Sequence, residues 1–359
     1  MFRVMILFAV FVTAMGQAAA QEKRFTVEQL AEGVHALIRK EPPSHWFTPN
    51  NVFIIGRDGV VVVDSNLTSE QTRKVLAELK RITDKPVKYV VNTHWHEDHI
   101  IGNRVYRDAF PEAKFVGHRS TLTDLPEIGG ANRRSSLQNG RGFVGLLEGK
   151  LEKGENLAGQ PLTDEERLGY ASDVKLVSAY LAESKDFDII LPTVLVDDRL
   201  ELDLGERKIE VIHLGRAHTG ADLVVRLPKE NIVIAGDLLV HPVPLVGSTS
   251  YPLEYATTLE RLRALKAKTI VPGHGPVMRD YAYLDAMIDL LASIKRQSEA
   301  SFARGETLEH MRKSVDLEPF RKRFAGESQH KSLIFKNYVT LPAVAAAHKH
   351  LSDKKEARK

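Results

Sequence analysis

Residues 92–99 read Asn92-Thr93-His94-Trp95-His96-Glu97-Asp98-His99, directly after the apolar run Lys88-Tyr89-Val90-Val91. Four side chains able to bind a metal ion fall within six residues at the end of a predicted strand. On extended backbone successive side chains alternate, so His94 and His96 point the same way and can grip one ion. A turn into the next helix swings Asp98 and His99 toward a second ion. With 14 histidines in 359 residues, this pattern arises by chance in roughly one such chain per thousand. The segment therefore reads as two metal half-sites.

Around it the chain alternates strand and helix. Asn51–Gly56 and Val60–Asp64 are apolar β-branched runs joined at Arg57-Asp58-Gly59, a hairpin. Residues 69–82 place Val75, Leu76, Leu79 and Ile82 on one helical face. The alternation returns in strands at 208–214, 222–227, 231–236 and 268–273, with a helix near 253–266. Two α/β halves follow. His218, Asp237 and His274 each stand just beyond one of these later strands, with Asp237 expected to end its own. In layered α/β proteins ligands gather at the carboxyl ends of strands, which lets these distant residues meet at one rim.

Residues 119–190 break the pattern. They are polar and glycine-rich around Gly129–Gly154, then helical from the capping-box pair Thr163 and Glu166 through Leu181. An insertion of this length reads as a lid or a substrate-shaping element. After Pro276 a helical pattern runs through Met287, Leu290, Leu291 and Ile294 as a C-terminal extension, about 277–359. It ends in a basic tail, beside which His348 and His350 are expected to be solvated.

Hydrophobic residues at 43% and charged residues at 27% exclude extended disorder and a multi-span membrane protein. A net charge of +3 is too small a surplus to mark a nucleic-acid binder and says little more about partners; the partner expected is a small-molecule substrate. The chain has no cysteine, which leaves His, Asp and Glu to hold any metal. Residues 1–20 carry Arg3, an apolar run from Val4 to Met15 and then Ala18-Ala19-Ala20. That run is shorter than the roughly 18 residues a membrane span needs, and it reads as a cleavable export signal. The expected mature chain, 21–359, is exported, periplasmic in a bacterium, and holds no stable membrane association after cleavage.

The segments HWHEDH (94–99), GRAHTGAD (215–222), IAGD (234–237) and VPGHG (271–275) resemble the successive metal-binding motifs of the metallo-β-lactamase superfamily, in the same order. The resemblance covers about two-thirds of the chain. It implies an αββα sandwich, here with a helical insertion and a C-terminal helical extension. It implies two divalent metal ions, Zn2+ first: His94, His96 and His218 on one, Asp98, His99 and His274 on the other, Asp237 between them. The activity implied is hydrolysis of an ester, lactone, thioester or amide bond, β-lactams included, by metal-bound hydroxide, with Asp98 as the catalytic carboxylate. Members that cleave β-lactams generally carry Cys or Ser at the position of Asp237, which favours relatives with a bridging Asp. The alternatives are a mononuclear iron oxidoreductase resembling persulfide dioxygenases, and a phosphodiesterase. Segments 44–51 and 241–252 should border the site, which makes Trp46, His241 and Tyr251 candidate substrate contacts. His118, His241 and Thr219 are candidates for orienting the metal ligands.

Overall fold

The computed structural model describes residues 25–184 and 189–357, so the expected export signal lies outside the described residues. A seven-stranded sheet runs β1 (Phe25–Ala31), β2 (Val34–Arg39), β3 (Asn51–Ile55), β4 (Val60–Val63), β5 (Val87–Val91), β6 (Lys114–His118) and β7 (Val194–Val196), in that spatial order. Its first four strands pair antiparallel and β4 to β7 pair parallel. The second sheet has five strands, β8 (Arg199–Asp203), β9 (Lys208–His213), β10 (Leu223–Leu227), β11 (Ile232–Val240) and β12 (Thr269–His274), in order from one edge to the other. The helices are α1 (Ser69–Ile82), α2 (Glu97–Ile100), α3 (Asn103–Ala109), α4 (Thr121–Asp124), α5 (Gly130–Lys153) and α6 (Asp164–Glu183) in the first part. In the second part they are α7 (Pro252–Ala264), α8 (Ala282–Ala303), α9 (Leu308–Ser314), α10 (Glu318–Ala325), α11 (Gln329–Phe335) and α12 (Leu341–Glu356).

Three apolar clusters define the layers. Val61 and Val63 of the first sheet pack with Ile209, Val211 and Val225 of the second, so the sheets meet face to face. Val60 and Val62 point the other way, onto Val75 and Leu79 of α1. This two-residue period explains why Val60–Val63 is apolar throughout: both faces of the strand are covered. Val224, Val233 and Ala235 carry the outer face of the second sheet, covered by Leu259 of α7, Met287 and Leu290 of α8, and Phe335. The order helix, sheet, sheet, helix is the sandwich expected from the motifs.

The insertion falls between β6 and β7. Its capping box is present, with Glu166 N–H donating to the Thr163 hydroxyl and Thr163 N–H to the Glu166 carboxylate. The glycine-rich stretch, expected to be irregular, is instead the 24-residue helix α5. A glycine costs a helix interior about 1 kcal/mol against alanine, so tertiary packing must offset it. Leu147 is fully buried, and a side chain at Gly140 would crowd Leu181 and Val177 of α6 at 3.1–3.4 Å. Gly140 thus allows the two helices to approach closely. The helix stops at Gly154, whose φ of 69° suits the left-handed cap.

The C-terminal tail corrects a second expectation. Residues 341–356 form α12, which packs on α8, α9 and α7. His350 stacks on Tyr251 with ring centroids 4.9 Å apart, and His348 meets Phe302 edge-on at 5.6 Å. Neither histidine is simply solvated. Among the described residues no helix is long and apolar enough to cross a membrane.

Candidate metal centre

The strand ends set the site. β4 runs into Asp64, whose φ of 60° is a left-handed conformation that Asp adopts more readily than most residues. That turn sends its carboxylate back over the end of β5. It accepts the Thr93 N–H and the Thr93 hydroxyl, both at 2.8 Å, and Nδ1 of His99 at 2.9 Å. The Asn92 amide donates to the His99 carbonyl at 2.8 Å, which closes the turn through residues 92–99.

Asp237 does not end its strand. β11 continues through it to Val240, with irregular register on both sides of Gly236, whose φ is 53°. The neighbouring strand makes room for the carboxylate: a Cβ at Gly273 would stand 1.9 Å from Asp237 Oδ1. His218 lies in the loop between β9 and β10, and His274 is the last residue of β12.

These seven side chains converge as two groups. In the first, Asp237 Oδ2 stands 3.6 Å from His218 Nε2 and 4.0 Å from His94 Nε2, and His96 Nδ1 is 2.9 Å from His218 Nε2. In the second, Asp237 Oδ1 is 3.3 Å from Nε2 of both His99 and His274, while Asp98 Oδ2 is 3.3 and 3.2 Å from the same two atoms. Asp237 therefore turns one oxygen to each group. Tetrahedral ligands at about 2.0–2.2 Å from an ion stand roughly 3.3–3.6 Å from each other; the second group keeps close to that spacing at 3.2–3.3 Å, and the first spreads around it from 2.9 to 4.0 Å.

The outer nitrogens fix which atom each ring presents. His99 Nδ1 faces the Asp64 carboxylate, His218 Nδ1 the Leu245 carbonyl at 3.2 Å, and His274 Nδ1 the Thr48 carbonyl at 3.0 Å. His94 Nδ1 faces the Thr93 hydroxyl at 3.2 Å, whose proton goes to Asp64. His96 Nε2 faces the Thr249 hydroxyl at 3.1 Å, whose proton goes to the His218 carbonyl. All five outer positions are acceptors, so the inner nitrogens are left to offer lone pairs. His94 Nε2, His99 Nε2, His274 Nε2, Asp98 Oδ2 and Asp237 Oδ1 are buried without a hydrogen-bond partner. Lone pairs gathered in a buried site are costly unless a cation is among them. The donor set fits two divalent ions.

Charge is divided unevenly between the groups. Burial, then the neighbouring His99 and His96, holds His94 well below the usual imidazole range, and burial, then His218, pushes His96 down to about 3. Burial also lowers His218. Burial opposes charge on His99 too, but Asp98, Asp237 and Asp64 override it and push the ring well above its usual range. His274 is likewise raised to about 9 against its burial, by Asp237 and Asp98. Asp98 and Asp237, which burial alone would raise, are held below the usual carboxylate range by His99 and His274. The first group is a set of neutral imidazoles, and in the second two carboxylates hold His99 and His274 toward their protonated forms, so a cation seated there would take the place of those protons.

Two cavities adjoin the cluster. The mouth, about 190 Å³, is lined by Trp46, Phe47, Leu67, His96, Asp98 and Leu245, among others. A second cavity of about 230 Å³ lies against Phe47 and His274, with His241 in its wall. Of the expected substrate contacts, Trp46 lines the mouth and His241 the second cavity. Tyr251 lines neither cavity; it is held between Arg216, 4.4 Å above its ring, and His350. The α12 helix claims it for packing. His118 is not among the ring partners either; its ring lies tilted against that of His213, 4.2 Å between centroids. Thr219 spends its hydroxyl and N–H on Asp222.

The sequence reading missed Asp64, Thr249 and Glu97. Asp64 had a visible signal, an acid ending an apolar strand beside β5. Thr249 and the carbonyls of Thr48 and Leu245 had none, because any residue has a carbonyl and loop hydroxyls are common. Glu97, inside the motif, turns away from the cluster to accept Tyr180 at 2.8 Å and Arg133 at 2.9 Å. It ties α5 and α6 to the metal turn.

The sequence profile of the metallo-beta-lactamase superfamily matches residues 45–274. The chain is similar to a linear primary-alkylsulfatase from a Pseudomonas strain, 24% identical over 73% of this chain and 49% of that protein. It is also similar to a beta-lactamase-like protein 2 homolog from Caenorhabditis elegans, 22% identical over 70% of this chain and 64% of that protein. A metallo-beta-lactamase type 2 from Bacillus cereus is 25% identical over 68% of this chain and 73% of its own length. The chain thus spans about half the length of the alkylsulfatase. Among solved structures, the metallo-beta-lactamase from Pontibacter korlensis aligns with a TM-score of 0.51 at 20% identity, over 75% of this chain and 99% of that one.

Proposed function

The chain belongs to the metallo-beta-lactamase superfamily, and from that premise we propose a metal-dependent hydrolase with paired metal sites that share Asp237. The observation that carries this reading is the Asp237 carboxylate, turned with one oxygen to each of two ligand groups. His94, His96 and His218 would hold one ion and Asp98, His99 and His274 the other, with Zn2+ first among metals suited to such donors. Two bound cations would supply Lewis acidity toward the scissile group and bring the pKa of water toward about 7.

The chain's own residues do the rest. Asp98 is the cluster carboxylate with the most solvent access, 18% of its side chain, and it lines the mouth. It takes the proton of the attacking water and returns it to the leaving atom. Trp46, Phe47 and Leu245 exclude bulk water around the substrate. The bonds this suits are esters, lactones, thioesters and amides. A second reading, cleavage of a sulfate ester, is favoured by the similarity to an alkylsulfatase. A mononuclear iron oxidoreductase would need only a subset of these ligands, and the completeness of both groups supports the paired site instead. Residues 1–20 support export, to the periplasm in a bacterium, and a small molecule is the proposed partner.

Metal analysis of the purified chain should find about two ions per molecule. A panel of nitrocefin, lactones, thioesters, carboxylate esters, aryl phosphates and alkyl sulfates should then show turnover that chelation abolishes. His96→Ala and Asp98→Ala should each lower turnover by about a thousandfold or more. Near-normal hydrolysis with intact metal content in either variant would end the assignment.

A further inference from the structure

The cavity of about 230 Å³ behind Phe47 has no part in the chemistry just described. Its walls are Ile38, Pro42, Pro43, Val243, Ile334 and Tyr338, with Phe47 and His274 at one end. The two charged side chains in its wall are occupied elsewhere. Arg39 donates to the Pro49 carbonyl at 3.0 Å and the Asn51 side chain at 3.1 Å, and Glu41 accepts the N–H and hydroxyl of Thr48 at 2.8 and 2.7 Å. The interior is thus more apolar than polar, and both of those charged side chains are spent on other partners.

Two further facts tie it to the substrate. Phe47 is common to both cavities, and its ring meets His274 at 4.3 Å, so the apolar space begins at the edge of the metal cluster. Among the described residues no lysine or arginine lines the mouth itself, so a substrate carboxylate would find no side-chain cation there. Ile38, Pro42 and Pro43 lie before the family match, and Ile334 and Tyr338 lie after it. The chain's own flanks thus complete the cavity against residues of the family match.

We propose that this cavity binds the apolar acyl chain of an uncharged ester, with the scissile carbonyl over the metal cluster and the alcohol in the mouth. The proposal rests on the hydrolase reading and adds the substrate class. At roughly 30 Å³ per water-sized group, the cavity holds a chain of about six to eight carbons.

The test uses the full, metal-loaded chain and 4-nitrophenyl esters from acetate to dodecanoate. The expected kcat/KM rises about fourfold per methylene, the worth of burying one CH2, and levels off near octanoate. Ile334→Trp, which fills the cavity from the C-terminal side, should cut the octanoate-to-acetate ratio of kcat/KM at least tenfold while metal content is unchanged. Ile334 also packs in the core, so Pro42→Trp, on the half-buried opposite wall, serves where that variant fails to fold. Saturation-transfer NMR with octan-1-ol alone reads occupancy without turnover and should show contact in the wild type and none in the filled variants. A flat chain-length profile, or octan-1-ol contact that the filled variants keep, overturns the proposal. If no ester is cleaved but octan-1-ol contact is lost on filling, the subsite stands and the hydrolase reading falls.

Discussion

Each imidazole of the cluster is held from behind, by an acceptor on a strand end or loop, while the aromatic loop above the cluster is held by helices from outside the sandwich. Behind the rings stand Asp64, Thr93, Thr249 and the carbonyls of Thr48 and Leu245. Above them, the fully buried Asp173 of α6 accepts the backbone N–H groups of His45 at 3.2 Å and Trp46 at 2.7 Å. Tyr338, from the C-terminal extension, donates to the His45 carbonyl. The difference separates two jobs. Ligand geometry is a property of the sheet rim, and access to it is a property of the insertion and extension. Substitutions behind the rings should therefore act on metal, and substitutions above them on substrate.

Among residues that stand behind or above the ligands, the largest effect should come from Asp64→Asn. The carboxylate accepts three hydrogen bonds, and an amide has one oxygen to offer. If the amide turns its NH2 to His99 Nδ1, that nitrogen must become an acceptor, and the ring proton moves to Nε2, the atom needed for the metal. If it turns the other way, the Thr93 N–H loses its partner. The expected result is a 10- to 100-fold loss of affinity for one of two ions, with the other retained. Metal titration read by calorimetry should show one weakened step. Two unchanged steps would mean that the rim does not set ligand geometry.

Asp173→Asn should divide the two jobs from the other side. One of two buried backbone N–H groups loses its acceptor, at a cost of about 1–3 kcal/mol. The loop carrying Trp46 and Phe47 loosens, while the ligands, held from below, stay in place. KM should rise roughly tenfold, with kcat within about threefold and the metal content intact. A fall in kcat or in bound metal without a change in KM would place Asp173 behind the chemistry instead of above it.

This division also explains what the sequence disclosed. The rim was legible because ligand residues are scarce, spaced by strand geometry and preceded by apolar runs such as Lys88–Val91 and Ile232–Ala235. Capping at Thr163 and Glu166 was legible because both partners lie within four residues. The shell was less so. Gly140, Gly142, Gly145 and Gly149 signal a loop by propensity, and only the facing Leu181 and Val177 reveal α5 as a helix. Tyr251 looked like a substrate contact until α12, distant in sequence, stacked His350 upon it. Asp237 looked like a strand end because Gly236 punctuates the run, although the strand bends there and continues. Contacts made across long sequence separations are where local reading gives out.

The smallest effect concerns two histidines at strand ends that lie outside the cluster. His118 ends β6 and His213 ends β9, and their rings are 4.2 Å apart. In the cluster, carboxylates face the raised rings; here burial, then His213, pushes half-buried His118 down to about 4. As pH falls below about 6.5, the unfolded chain takes up this proton before the folded one does. The stability that His118 contributes is complete above that pH and is lost as pH falls through about 4. Solvent screening of a half-buried ring limits it to about 1–2 kcal/mol. His118→Gln should flatten the fall in Tm between pH 7 and pH 5, leaving metal stoichiometry at pH 7 unchanged. An equal fall in Tm with and without His118 would show that His118 does not titrate as its burial requires.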